Sequence, residues 1–256
     1  VDGLPAAKDY ALWSLSLAIN ADNQAEVLAT GGVGPLIGQL SEARMINREQ
    51  AASALAKLAL DNEDTRQAIT ASGGVKPLLA LLDASEASGH TDAVLRQGAD
   101  AIANLAVEPS ARDEIASSGG LKPLVDLLRA AEGTSAKKFA ARALARLSHQ
   151  HEPTQLKVLE EDAIAPLVRI LGGRQEEPLA QEEAAGALYA LAELESNRRA
   201  ITAADGIGEL VNLLAVDNLR AQQHAEGALV RLSQDQSNRA LIIKKLVQML
   251  NVNVVG

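Results

Sequence analysis

Apolar positions recur along this chain with the spacing of one helical face, and the same arrangement appears five times. Each copy has a small residue, an alanine three places on, a leucine or isoleucine at the fourth place and a leucine at the seventh. The copies are Ala51, Ala54, Leu55, Leu58; Gly98, Ala101, Ile102, Leu105; Ala140, Ala143, Leu144, Leu147; Ala184, Ala187, Leu188, Leu191; and Ala225, Ala228, Leu229, Leu232. Offsets of three, four and seven fall on a single stripe of a 3.6-residue helix, so each copy predicts an amphipathic helix with its stripe in a core. The small residues in the first two places let neighbouring helices approach closely. Burial of each leucine contributes roughly 1.5–3 kcal/mol.

Ahead of each stripe lies a second recurring stretch, clearest at Gly73-Gly74-Val75-Lys76-Pro77-Leu78-Leu79. Its relatives are Gly31-Gly32-Val33-Gly34-Pro35-Leu36, Gly119-Gly120-Leu121-Lys122-Pro123-Leu124, Asp162-Ala163-Ile164-Ala165-Pro166-Leu167 and, more loosely, Asp205-Gly206-Ile207-Gly208-Glu209-Leu210. Glycine takes positive φ without strain and ends a preceding helix, while proline in a first turn forfeits no hydrogen bond. The stretch therefore predicts a short helix, a tight turn and a second helix before each striped third helix. Measured between the proline positions the steps are 42, 46, 43 and 43 residues. A period in the low forties made only of helical signals indicates an all-α, α-α superhelix, a solenoid of the armadillo or HEAT kind.

Taken in order, residues 5 to 18 read as a third helix whose own first and second helices are missing, and the chain begins on Val1 rather than Met. The sequence is therefore expected to be a fragment or a processed form. A first complete repeat follows, with a short helix near Asn23–Thr30, a turn at Gly31-Gly32, a second helix to about Leu40 and a third from about Ile46 to Leu60. Repeats are expected at about 21–62, 63–107, 108–150, 151–194 and 195–236, between a partial repeat at 1–20 and a partial or capping one at 237–256. Together they form one domain spanning 1–256. The acid or amide residues Asn62-Glu63-Asp64, Glu108 and Glu195-Ser196-Asn197 are placed to cap first helices. Residues 84–90 form the longest inter-helix loop and account for the 46-residue step. From Ser237 to Leu246 a first and a second helix run together without a glycine turn.

Charge and composition narrow the function. Lysine and arginine number 24 against 33 acids, a net charge of −9, which argues against nucleic acid as a partner. No cysteine is present, which removes disulfides, thiolate metal sites and a cysteine nucleophile, and fits an intracellular compartment such as cytoplasm or nucleus. No apolar run approaches the roughly 20 residues of a membrane span, so direct membrane insertion is not expected. His149 and His151 flank Gln150 between helices, and His90 and His224 are isolated, so no histidine pair has metal-ligand spacing. Gly31-Gly32-Val33-Gly34 has no preceding strand and no following Lys-Ser or Lys-Thr, and so is not a phosphate cradle. The adjacent acids Glu176-Glu177 and Glu182-Glu183 read as solvated faces. No nucleophile, base and orienter come together, so neither enzymatic activity nor a cofactor is expected.

The turn Gly-Gly-Val-x-Pro-Leu and the third-helix pattern Ala-x-x-Ala-Leu-x-x-Leu together resemble armadillo repeat proteins over essentially the whole chain. That resemblance, shared with catenin-like and importin-alpha-like members, implies a concave groove lined by third helices, where an asparagine near each helix end fastens an extended peptide. The asparagine position falls on Ser14, Lys57, Asn104, Arg146, Ala190 and Arg231, and one turn earlier stand Tyr10, Ser53, Asp100, Arg142, Gly186 and Gly227. The tryptophan and asparagine array of the import adaptors is missing, and Trp13 is out of register with it. Lys57, Arg142, Arg146 and Arg231 beside Asn104, against the single acid Asp100, suit an acidic or phosphorylated extended segment. The competing account is that cations near third-helix ends complement the helix dipole. Tyr189 could anchor a ligand side chain, whereas Phe139 is expected to pack between repeats. The expected function is a protein-interaction scaffold with an acidic protein or peptide partner. Two alternatives are a structural subunit held in a larger assembly by its convex face and loops, and a small-GTPase regulator.

Overall fold

The computed structural model describes residues 7–20, 22–42, 44–85, 87–129, 135–173 and 177–252, apart from the side chains of Lys8 and Val252. These residues form seventeen α-helices and no strand. Contacts gather the chain into two compact units, residues 1–127 and 128–256.

In the first unit, α1 (Ala7–Ala18), α4 (Met45–Ala59) and α7 (Asp92–Leu105) are the third helices, with α1 packed on α4 and α4 on α7. Residues 5 and 6, with which the expected first helix began, lie outside the described residues. The first helices α2 (Gln24–Ala29), α5 (Glu63–Ala71) and α8 (Pro109–Ser117) stack in turn, accompanied by the second helices α3 (Val33–Gln39), α6 (Val75–Ala80) and α9 (Leu121–Leu128). The second unit repeats the scheme. Its third helices are α10 (Ala136–Ser148), α13 (Pro178–Leu191) and α16 (Leu219–Leu232). Its first helices are α11 (Glu152–Glu160) and α14 (Glu195–Ala203), and its second helices are α12 (Ile164–Gly172) and α15 (Gly206–Leu213). Residues 236–252 form one continuous helix, α17 (Gln236–Val252), as the missing glycine turn predicts.

All twenty stripe positions are buried, nineteen of them alanine, leucine or isoleucine with 6% exposure or less. The two residues of each turn have separate jobs. The first sits in left-handed backbone, with φ of 73° at Gly31, 74° at Gly73 and 76° at Gly119, and Asp162 and Asp205 take the same place at 55° and 60°. The second is limited by space rather than by φ. A Cβ on Gly74 would stand 2.7 Å from Ile69 Cγ2 and 2.9 Å from the Ile69 carbonyl oxygen. In the fourth repeat Ala163 fills that place, and its amide reaches the Val158 carbonyl at 3.2 Å, against 2.9 Å for Gly74 to Ile69.

The capping expectation is met at Asn62, whose side chain accepts the Thr65 amide hydrogen at 3.0 Å. It fails at two other places. Glu108 stands at a cap position but gives its carboxylate to Arg66 at 2.9 Å. Asn197 lies inside α14, fully buried, and donates to the Gln155 carbonyl at 3.2 Å. Leu194 occupies the cap position instead. The second helix of repeat two is also shorter than its apolar run suggests, because Leu81 and Leu82 enter the core from a turn after α6. In the loop that follows, Ser88 Oγ donates to the Asp83 and Ser85 carbonyls, and His90 reaches both the Asp83 carbonyl and Arg48 at 3.1 Å. Glu86 lies outside the described residues.

Candidate functional site: the third-helix ladder

Each third helix ends in carbonyls that have no intrahelical partner, and on α1, α4 and α13 the ladder side chain of the next repeat supplies one. In the first unit Lys57 Nζ donates to the Ser16 carbonyl at 2.5 Å, in the last turn of α1. Asn104 Nδ2 donates to the Ala56 carbonyl at 3.0 Å, in the last turn of α4, and the residue is only 3% exposed. Asp100 is half-buried on the turn before Asn104. Lysine carries three N–H donors, and Lys57 has one hydrogen bond to protein among the described residues.

In the second unit Arg231 Nη1 donates to the Tyr189 carbonyl at 2.6 Å, and its guanidinium lies over the Tyr189 ring at 3.8 Å from the centroid. Such a stack holds a cation in place while leaving its edge open. Gly227 makes it fit, since a Cβ there would come within 2.9 Å of the ring. The Tyr189 side chain is half-buried. Arg142 Nε donates to Glu183 Oε1 at 2.7 Å, and its guanidinium stands 5.2 Å from the centre of the Phe139 ring. Phe139 is half-buried, not packed away between repeats as expected, and Lys138 approaches the same ring at 5.2 Å. Arg146 is half-buried and has a partner of its own.

Lys57 and Arg231 thus answer to carbonyls of the preceding third helix, a different arrangement from complementing the dipole of their own helix, while Arg142 answers to a carboxylate of the following one. Among the sequence-predicted residues, Lys57 sits with Asp100 and Asn104 in the first unit, and Arg142, Arg146, Tyr189 and Arg231 in the second.

No family model and no curated protein matches the chain. Solved structures do. An engineered protein from a structural genomics consortium is 29% identical, with 88% of this chain and 90% of that one covered and a TM-score of 0.80. A designed armadillo repeat protein is 26% identical over 90% and 96% of the two chains, with a TM-score of 0.79. Another, described as computationally designed for modular peptide recognition, is 25% identical over 87% and 92%, with a TM-score of 0.76. This chain is an armadillo-like repeat solenoid.

The armadillo-like repeat also contains a second ladder, on the first helices, which the sequence analysis missed. Gln24, Arg66, Gln155, Arg198 and Arg239 hold equivalent places. Gln24 Nε2 donates to the Lys57 and Leu60 carbonyls at 2.7 and 2.8 Å. Gln155 Nε2 joins the Ser148 carbonyl at 2.7 Å to Glu193 at 2.9 Å. Arg198 donates to the Ala192 and Glu193 carbonyls and pairs with Asp235 at 3.2 Å. The signal was available as a glutamine or arginine seven places before the first residue of each turn, at Gln24, Arg66, Arg112, Gln155 and Arg198.

Glu182 and Glu183 are not the solvated face expected. Glu182 is 7% exposed and accepts from Asn218 Nδ2 at 3.0 Å, while Glu183 holds Arg142. Glu176 lies outside the described residues, and Glu177 pairs with Lys138 at 3.1 Å. His151 caps α11 by accepting the Thr154 amide hydrogen, and His224 rests against Gly186 with Nδ1 3.2 Å from the Glu182 carbonyl. Among the described residues no group of three or more His, Asp or Glu side chains is placed to hold a metal, and no helix is long and apolar enough to cross a membrane.

Proposed function

We propose that the chain is a non-enzymatic protein-interaction scaffold in which the third helices of each unit bind an extended acidic segment of a partner. Lys57 in the first unit and Arg231 in the second make the charged contacts. Arg142, Arg146 and Tyr189 shape the second unit's surface, while in the first unit Asp100 limits the charge accepted and Asn104 positions α4 against α7. The observation that carries the proposal is Arg231. Stacked on Tyr189 and spending one of a guanidinium's five N–H donors on a carbonyl, it is held rigidly with the others unused by protein among the described residues. Preorganised donors of this kind bind carboxylates without losing side-chain entropy on association. The armadillo-like fold supports the reading, since a structural neighbour was designed for modular peptide recognition.

The test is a fluorescence-anisotropy titration with a labelled (Glu-Asp)4 octapeptide, using a (Lys-Arg)4 peptide as the control. Arg231→Glu and Lys57→Glu should each weaken binding of the acidic peptide at least tenfold, with melting temperatures close to wild type. Tighter binding of the basic peptide, or acidic-peptide affinity indifferent to both substitutions, would refute the proposal.

A further inference from the structure

The second unit has a surface cavity of about 730 Å³ on its first and second helices, lined by Arg129, Asp162, Pro166, Arg169, Ala200 and Ala203 among others. Its volume is in the range of small-ligand and side-chain pockets. The repeat does not account for its lining. Counting from the proline ruler, the place of Arg169 is held in the other repeats by Gly38, Ala80, Asp126 and Asn212, and that of Arg129 by Ser41, Asp83, Gly172 and Ala215. No other repeat has arginine at either place. The floor is shared with one other repeat: Ala200 and Ala203 stand where α5 also carries Ala68 and Ala71, whereas α2 carries Glu26 and Ala29, α8 Glu114 and Ser117, and α11 Lys157 and Glu160, so it is the two arginines that set this site apart. Arg129 Nη2 donates to the Glu161 carbonyl at 2.8 Å, which fixes one guanidinium at the rim. Arg169 is exposed and has no hydrogen-bond or ion-pair partner among the described residues.

From these residues we infer a second docking site, independent of the third-helix ladder. It takes a short extended segment of a protein partner with an aliphatic side chain next to a carboxylate. The aliphatic group lies on the alanine and proline floor, and the carboxylate meets the two arginines, which outnumber the one lining carboxylate, Asp162. Asp162 on the rim weighs against dense polyanions and favours a single acid beside an apolar residue. Closing small side chains over an aliphatic group supplies affinity that charge alone at an exposed site does not.

The probe is a fluorescein-labelled Gly-Ser-Glu-Leu-Asp-Glu-Ser peptide titrated by anisotropy at two salt concentrations. Saturable binding is expected. It should weaken at least tenfold with Arg169→Glu, with Ala203→Trp, which fills the exposed floor, and with glycine in place of the probe's leucine. Lys57→Glu and Arg231→Glu should leave it unchanged, which separates this site from the ladder. Three results would overturn the inference. The first is no saturation up to about 1 mM, equivalent to roughly −4 kcal/mol. The second is sensitivity to the ladder substitutions with none to Arg169→Glu. The third is sedimentation showing that the protein alone dimerises through this face and that Arg169→Glu abolishes the dimer, which would make a second copy the occupant. Arg169 and Ala203 are exposed, so melting curves of both variants should overlay that of the wild type.

Discussion

Substituting alanine for Gly74 tests the division of labour within the turn most directly. The new methyl would stand 2.7 Å from Ile69 Cγ2, 2.9 Å from the Ile69 carbonyl oxygen and 3.2 Å from Ile37 Cδ1 in the preceding repeat. Ordinary contact begins near 3.4 Å, so α5 must retreat from the turn by about half an ångström or Ile69 must leave its rotamer. The fourth repeat shows the less costly solution, in which Ala163 is accommodated with its hydrogen bond to Val158 stretched to 3.2 Å. Overpacking of this size costs about 1–3 kcal/mol. The neighbouring change Gly73→Asp should cost less, because Asp162 and Asp205 already occupy that place at positive φ. Repeat arrays do not always unfold in one step, so the assay should pair urea denaturation with hydrogen exchange of the α5 and α6 amides. Faster exchange confined to those helices and their neighbours, together with a lower midpoint, is the expected result. Gly74→Ala within about 0.3 kcal/mol of wild type, or Gly73→Asp more damaging than Gly74→Ala, would refute the assignment of space to one residue and φ to the other.

Three further outcomes are expected. Leu144→Ala removes a fully buried side chain in α10 and should cost about 2–5 kcal/mol in urea denaturation. Arg198→Met keeps much of the stem's volume but strands Asp235 and the Ala192 and Glu193 carbonyls, for a loss of about 2–4 kcal/mol, with faster exchange in α14 and at the start of α17. At Asp83 the Ser85 backbone amide and then the Ser85 hydroxyl hold the carboxyl below its ordinary 3.8, with desolvation opposing them and His90 assisting least. A depressed folded-state pKa means that the loop's stabilisation is present above 3.8 and lost as pH falls through the lower value. The Ser85 amide resonance should therefore titrate with a midpoint below 3.8, and Asp83→Asn should abolish the transition.

The fold was legible because two periodic signals agreed. The stripes fixed which face of each third helix is buried, and the turn stretches fixed where the first helices end. What escaped was polar. Glu108, Asn197 and Glu182-Glu183 have the composition of caps and solvated faces, yet each is drawn into contact with a repeat about 36–42 residues away. Local sequence cannot distinguish a carboxylate in water from one facing a guanidinium of the next repeat, since the deciding neighbour is set by stacking. The first-helix ladder was missed for the same reason: glutamine and arginine share no obvious motif, only the ability to place N–H donors on a distant carbonyl.

The two ladders together explain why the candidate site has the residues it has. A third helix ends in carbonyls that need donors, and stacking offers two directions from which to supply them. From the first helices come Gln24, Gln155 and Arg198, and from the following third helix come Lys57, Asn104 and Arg231. Either side could use a neutral amide for this task, as Gln24 and Asn104 do. At positions 57 and 231 the donor instead carries a charge and more N–H groups than the carbonyl uses. A purely structural role would be satisfied by asparagine there. Replacing Arg231 by asparagine therefore separates the roles: stability should change by less than about 1 kcal/mol while acidic-peptide binding falls as far as with Arg231→Glu, short of the added repulsion. If stability and binding fell together, or binding survived, the extra donors would have no part in recognition.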